Sequence, residues 1–205
     1  MEAIPDAVAP PPSGGPPEHG PERLFVLKEA DTFLVADAYG DIVGESDGLF
    51  RNDTRLLSRL QLTFAASRPS LLSSGVSRDN VFFTAHCTNR PLPPLGSKEV
   101  PHGLIHLERK RLLWDSRLFE RITLANYGDQ PVRAALALTF AADFHDMFEV
   151  RGAVRAHRGE REQAQVRAQG VELRYRGLDD LQRCVAIDFS LQPLEIDEGH
   201  ARFAV

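Results

Sequence analysis

Between Val132 and Phe144 every second residue is apolar: Val132, Ala134, Leu136, Leu138, Phe140, Ala142 and Phe144 alternate with a set that includes Arg133, Thr139 and Asp143. A helix would spread those seven side chains around its circumference, whereas an extended chain puts them all on one side. The segment therefore predicts a strand with one buried face and Arg133, Thr139 and Asp143 on the other. At roughly 1.5–3 kcal/mol for each large apolar side chain taken out of water, that face is a major part of any core.

The same period recurs along the chain. It appears in Leu60, Leu62 and Phe64; in Ile105 and Leu107 against His106, Glu108 and Lys110; in Leu118, Glu120, Ile122 and Leu124; in Val185, Ile187, Phe189 and Leu191; and in Ala201, Phe203 and Val205. Between these runs lie Tyr39-Gly40-Asp41, Asn126-Tyr127-Gly128-Asp129, Arg176-Gly177 and Glu198-Gly199, residues that accept the backbone angles of tight turns. Arg158 to Gln169 has helix-forming composition without an apolar stripe, and reads as a polar loop or a short surface helix. Many short strands joined by turns, with no crossover helices, predict an all-β fold: an antiparallel β-sandwich with few or no helices.

Seven of the 14 prolines precede Arg23, among Ser13, Gly14, Gly15 and Gly20, so residues 1–22 read as a disordered Pro/Gly-rich tail and 23–205 as the β-sandwich domain. The chain stops inside an alternating run, which suggests a domain truncated before a further C-terminal one. With 24 Lys and Arg against 29 Asp and Glu, the net charge is −5. No bulk field draws such a chain to nucleic acid or an anionic lipid surface. No apolar run approaches a membrane span and the N-terminus has no basic, apolar secretory pattern, so neither a nucleic-acid nor a membrane partner is expected, and the location expected is cytoplasmic. Cys87 and Cys184 fit neither metal-ligand spacing nor a disulfide framework and read as two buried thiols.

Two segments carry most of the side chains with chemistry. In the first, Gly48 to Leu60, Asp53, Arg55 and Arg59 sit among apolar residues; a carboxylate and a guanidinium there can form a bidentate pair that fixes a loop, or can contact sugar hydroxyls. The second, Ala142 to Gly152, gathers Asp143, His145, Asp146, Glu149 and Arg151 around Phe144, Met147 and Phe148. Paired carboxylates suit glycoside hydrolysis and equally suit the polar rim of a strand end. As a metal set, Asp143, His145 and Asp146 are poorly placed, because only the first two share a face of a strand. No metal or other cofactor is expected. His102 and His106, four apart, share a face if extended and read as rim histidines. Trp114 and Tyr127 read as core or rim packing, or as platforms for a sugar ring. There is no phosphate loop and no nucleophile elbow.

Gly48-Leu49-Phe50, Asp53-Thr54-Arg55, Leu57-Ser58-Arg59-Leu60, Arg121 to Tyr127, Ala142-Asp143-Phe144 and Phe148 to Gly152, in this order and spacing, resemble the N-terminal domain of bacterial-type glycogen debranching enzymes, the amylo-alpha-1,6-glucosidase group. The resemblance implies a supersandwich-like β domain preceding a helical barrel that carries the general acid and base for cleaving alpha-1,6-linked glucose. It therefore assigns no catalytic residue to this chain. The function it implies is that of a non-catalytic accessory domain that packs against a catalytic domain of the same parent and helps shape an α-glucan site. An independent carbohydrate-binding module and a self-sufficient glycosidase are the alternatives. Asp53, Arg55, Asp143, Phe148, Glu149 and Arg151 are the candidate substrate or domain-interface residues, expected near one end of the sandwich. Self-association through that surface is a further expectation for the chain on its own.

Overall fold

The computed structural model describes residues 24–92 and 100–205. The tail expected over residues 1–22 lies outside them. In chain order the elements are β1 (Phe25–Glu29), β2 (Thr32–Ala36), β3 (Gly48–Arg51), β4 (Thr54–Leu57), β5 (Arg59–Phe64), β6 (Ser70–Val76), β7 (Phe82–Thr88), β8 (Ile105–Trp114), β9 (Arg117–Asn126), β10 (Ala135–Ala141), one helical turn α1 (Met147–Val150), β11 (Glu160–Arg161), β12 (Gln165–Arg167), β13 (Gly170–Arg176), β14 (Gln182–Asp188), β15 (Glu195–Ile196) and β16 (His200–Ala204). They form four antiparallel sheets, ordered β1-β2-β3-β4, β6-β7-β8-β9, β15-β16-β10-β5, and β13 flanked by β14 on one edge and by β11 and β12 on the other. The fold is all-β.

Sequence-adjacent hairpins build the first two sheets, and the third joins distant parts of the chain. In it β10 pairs with β5 on one side, Leu138 opposite Leu62, and with β16 on the other, Leu138 opposite Ala201. The first sheet packs its β1 strand against β6, β7 and β8, with Phe25 and Phe83 in tilted ring contact at 5.3 Å. One apolar core runs through all of this, from Leu27 and Leu34 through Leu62, Phe83 and Leu107 to Leu136, Phe140 and Phe203.

The alternating runs in β5, β8, β9, β10 and β16 are strands, and three of the expected loops are built as turns. Asn126 Oδ1 accepts from Gly128 N, Asp197 Oδ1 accepts from Gly199 N, and Gly177 N donates to Leu181 O. Three local expectations are corrected. The strand over residues 132–144 is shorter, Ala135–Ala141, and beyond it Ala142 and Phe144 join a small second core with Tyr175. Asp143 is not on an open outer face: its side chain is buried because Arg55 is there to pair with it. The stretch from Arg158 to Gln169 is neither loop alone nor helix, since β11 and β12 within it satisfy their backbone groups along the edge of β13.

Candidate functional site

The β3–β4 hairpin turns on Asn52 and Asp53, both with left-handed φ, 47° and 58°. A two-residue turn with both φ positive is type I′, which asparagine and aspartate tolerate best after glycine. Asp53 is thus a turn residue with an exposed side chain, and its main-chain oxygen accepts from Met147 N at 3.0 Å. Arg55, two residues on, points inward and is 4% exposed. The pair it forms is with Asp143, across 88 positions of sequence, and not with Asp53: Nε donates to Oδ1 and Oδ2 at 3.2 and 3.0 Å, and Nη2 donates to Oδ2. Nη1 donates to the carbonyls of Glu45 at 2.7 Å and Asp47 at 3.1 Å. Gly48 makes room for this arginine, because a Cβ there would stand 2.6 Å from Arg55 Cδ.

The two segments singled out by composition therefore meet. Arg55 N donates to His145 O at 2.8 Å, Thr54 bridges to Asp146, and the Asp143 carbonyl accepts from Arg158 Nη2 at 2.9 Å. Asp146 caps α1: its Oδ1 accepts from Phe148 N and Glu149 N, while Glu149 Oε2 accepts from Asp146 N at 3.0 Å. This reciprocal arrangement is a capping box. Burial tends to raise the Asp146 carboxyl, but the Glu149 N–H, the Arg155 guanidinium and the Phe148 N–H outweigh it and hold it below the usual range. The other oxygen of Glu149 takes the Arg158 guanidinium at 2.9 Å. Asp143 and Glu149 are thus engaged as ion-pair and cap partners. On the outside of the knot, Phe148 is 65% exposed, Arg151 is exposed at the C-terminal end of the turn, and Arg155 lies 5.9 Å from the Phe148 ring. Arg59 is exposed at the start of β5.

A second polar group was not legible as such. Arg109 and Arg111 lie on the buried face of β8, at 1% and 0% exposure. Arg109 Nε bonds Glu120 Oε1 at 2.7 Å and its Nη1 bonds Asp41 Oδ1 at 2.5 Å, while Arg111 Nη2 bonds Glu120 Oε2 at 3.0 Å. Arg68 closes the chain by pairing with Asp37 and Asp41, its guanidinium 3.6 Å above the Tyr39 ring. Burial would raise the Glu120 carboxyl, but the charges of Arg109 and Arg111 and their hydrogen bonds pull it down to about 2. The available signal was parity: Ile105, Leu107, Arg109, Arg111 and Leu113 share one face, as do Leu118, Glu120, Ile122 and Leu124 on the paired strand.

The remaining candidates are dispersed. Trp114 and Tyr127 are 64% and 74% exposed but lie at opposite ends of the β8–β9 hairpin, whose strands of ten residues are roughly 30 Å long, so they do not face one sugar ring. His102 is in the loop before β8 rather than on a strand with His106. Cys87 is buried, and burial pushes its thiol up to about 11, whereas Cys184, expected inside, is exposed on β14. Among the described residues, no helix is long and apolar enough to cross a membrane.

No curated protein matches the chain closely enough to serve as a relative. A family model does match, described as the N-terminal domain of some glycogen debranching enzymes, and it spans residues 27–205. Its range covers every strand from β2 to β16 and both halves of the Arg55–Asp143 knot. The chain belongs to the family of N-terminal domains of glycogen debranching enzymes.

Proposed function

We propose that this domain is the non-catalytic accessory part of a glycogen-debranching-type glycoside hydrolase, that it packs against the catalytic domain of its parent, and that it helps shape the α-glucan site there. The observation that carries the reading is the knot of Arg55 and Asp143. It holds an exposed aromatic side chain, Phe148, beside exposed Arg151 and the Asp53 turn on a rigid base. An apolar anchor with arginines around it is the composition of a protein contact rather than of a solvated rim. The carboxylates that acid–base chemistry would need, Asp143 and Glu149, are spent on the knot itself.

The test is the parent enzyme carrying Arg151→Ala with Phe148→Ser, beside Arg133→Ala, which changes an exposed residue just before β10. Loss of debranching rate and of domain association in the first alone supports the reading, and equal behaviour of the two overturns it. On the isolated chain, titration with maltooligosaccharides and a glucose-release assay on glycogen separate the alternatives. Binding without turnover indicates an independent carbohydrate module, and turnover a complete glycosidase.

A further inference from the structure

On the outer face of the β6–β9 sheet, away from the knot, two imidazoles meet. His86 of β7 is in register with Glu108 of β8, and His106 stands diagonally across at the next same-face position. His86 Nδ1 and His106 Nε2 are 3.2 Å apart while the ring centroids are 5.3 Å apart, so the rings meet edge to edge, nitrogen toward nitrogen. Two nitrogens bound to one tetrahedral zinc ion lie roughly 3.3–3.4 Å from each other, given Zn–N bonds of ~2.0–2.1 Å. The pair is therefore already spaced as one edge of such a tetrahedron. Glu108 Oε2 is 3.8 Å from the same His86 nitrogen, and both of these side chains are about one-third exposed, at 37% and 33%. Lys110, two positions beyond Glu108 on the same face of β8, lies with its Nζ 4.3 Å over the Phe82 ring. On the opposite side of the same strands Cys87 and Leu107 are packed in the core, which fixes the backbone beneath both rings.

We infer that His86 and His106 form an open site for a late first-row divalent metal ion such as zinc, with Glu108 as a third ligand after a small rotation. Among the described residues no group of three His, Cys, Asp or Glu side chains stands so placed that it could hold a metal ion. The site is accordingly a two-nitrogen chelate with positions left for Glu108 and water, and not a closed structural centre. Imidazole suits this class of ion, and carboxylate completes it. A coordinated imidazole is neutral, with its hydrogen on the ring nitrogen turned away from the ion.

The experiment is a zinc chloride titration of the purified chain by calorimetry, in a buffer that does not chelate. One ion per chain is expected. His86→Gln and His106→Gln should each weaken it by about ten-fold or more, with Glu108→Gln less damaging and His145→Gln, near the knot, without effect. No zinc binding by the unaltered chain overturns the inference, as does binding that survives in the double variant H86Q/H106Q. Because a variant that fails to fold would be uninformative, the unaltered chain is also loaded with one equivalent of copper(II). Electron paramagnetic resonance should then show two coordinated nitrogens, and a spectrum with none or one overturns the site.

Discussion

The Arg55 guanidinium is committed to one carboxylate and to main-chain carbonyls of the segment before β3, and it is buried, so solvent is a poor substitute for a lost partner. Removing one member of a buried pair strands the other, and Asp143→Ala should cost about 3–5 kcal/mol in urea denaturation. Replacing both, Arg55→Met with Asp143→Leu, should recover most of that loss, since an apolar pair leaves no stranded charge. A double variant as unstable as the single one would refute the ion-pair account. Gly48→Ala tests the same knot from its backbone side: a Cβ would collide with the Arg55 stem, so a clear drop in melting temperature is expected, with Asp53→Asn near neutral because asparagine suits the same turn. The identities of Arg55 and Asp143 were legible as candidates, and their partnership was not. Nothing local distinguishes Asp53, two positions away, from Asp143, which only the closing of β10 on β5 brings near.

Among the elements, β10 was the most legible because both of its neighbours bury the same parity of side chains, and Leu138→Asp, which places a charge between Leu62 and Ala201, should cost several kcal/mol. A melting curve like that of the unaltered chain would contradict the pairing. The β8–β9 hairpin was legible as strands but not in its content, since a pattern reader places arginine outside by default. Here the arginines face inward because Glu120 lies in register with Arg111 and Asp41 reaches across from the loop after β2. The Glu120 carboxyl sits at about 2 in the folded chain against an ordinary 4.5. A depressed carboxylate stabilises the fold above its ordinary value, and the contribution, of a few kcal/mol, is lost as pH falls from about 4.5 toward about 2. Glu120→Gln should remove that component, leaving a less stable protein whose stability changes less across this range. Urea midpoints measured at several pH values decide it. The edge pieces β11 and β12 were illegible for the opposite reason: they are too short for period two to show, and are strands only because β13 offers them an edge.

At the scale of the molecule, the all-β class and the family were both readable from alternation and from the order of short motifs. The inter-sheet charges were not, because they depend on which sheets face each other. The accessory reading makes one prediction here: the isolated chain, incubated with glycogen or limit dextrin, should release no glucose above a buffer control. The third sheet has a further consequence, and it concerns time. β10 needs β5 on one edge and β16 on the other, and β16 is made after every other strand described. During synthesis at about 5–20 residues per second, the open edge of β10 waits roughly 3–12 s for its second neighbour, with Leu136, Leu138 and Phe140 incompletely covered. A nascent chain of this protein is thus most adhesive between the emergence of β10 and that of β16, and arresting translation before His200 should yield a product captured by chaperones, whereas synthesis carried past β16 should not.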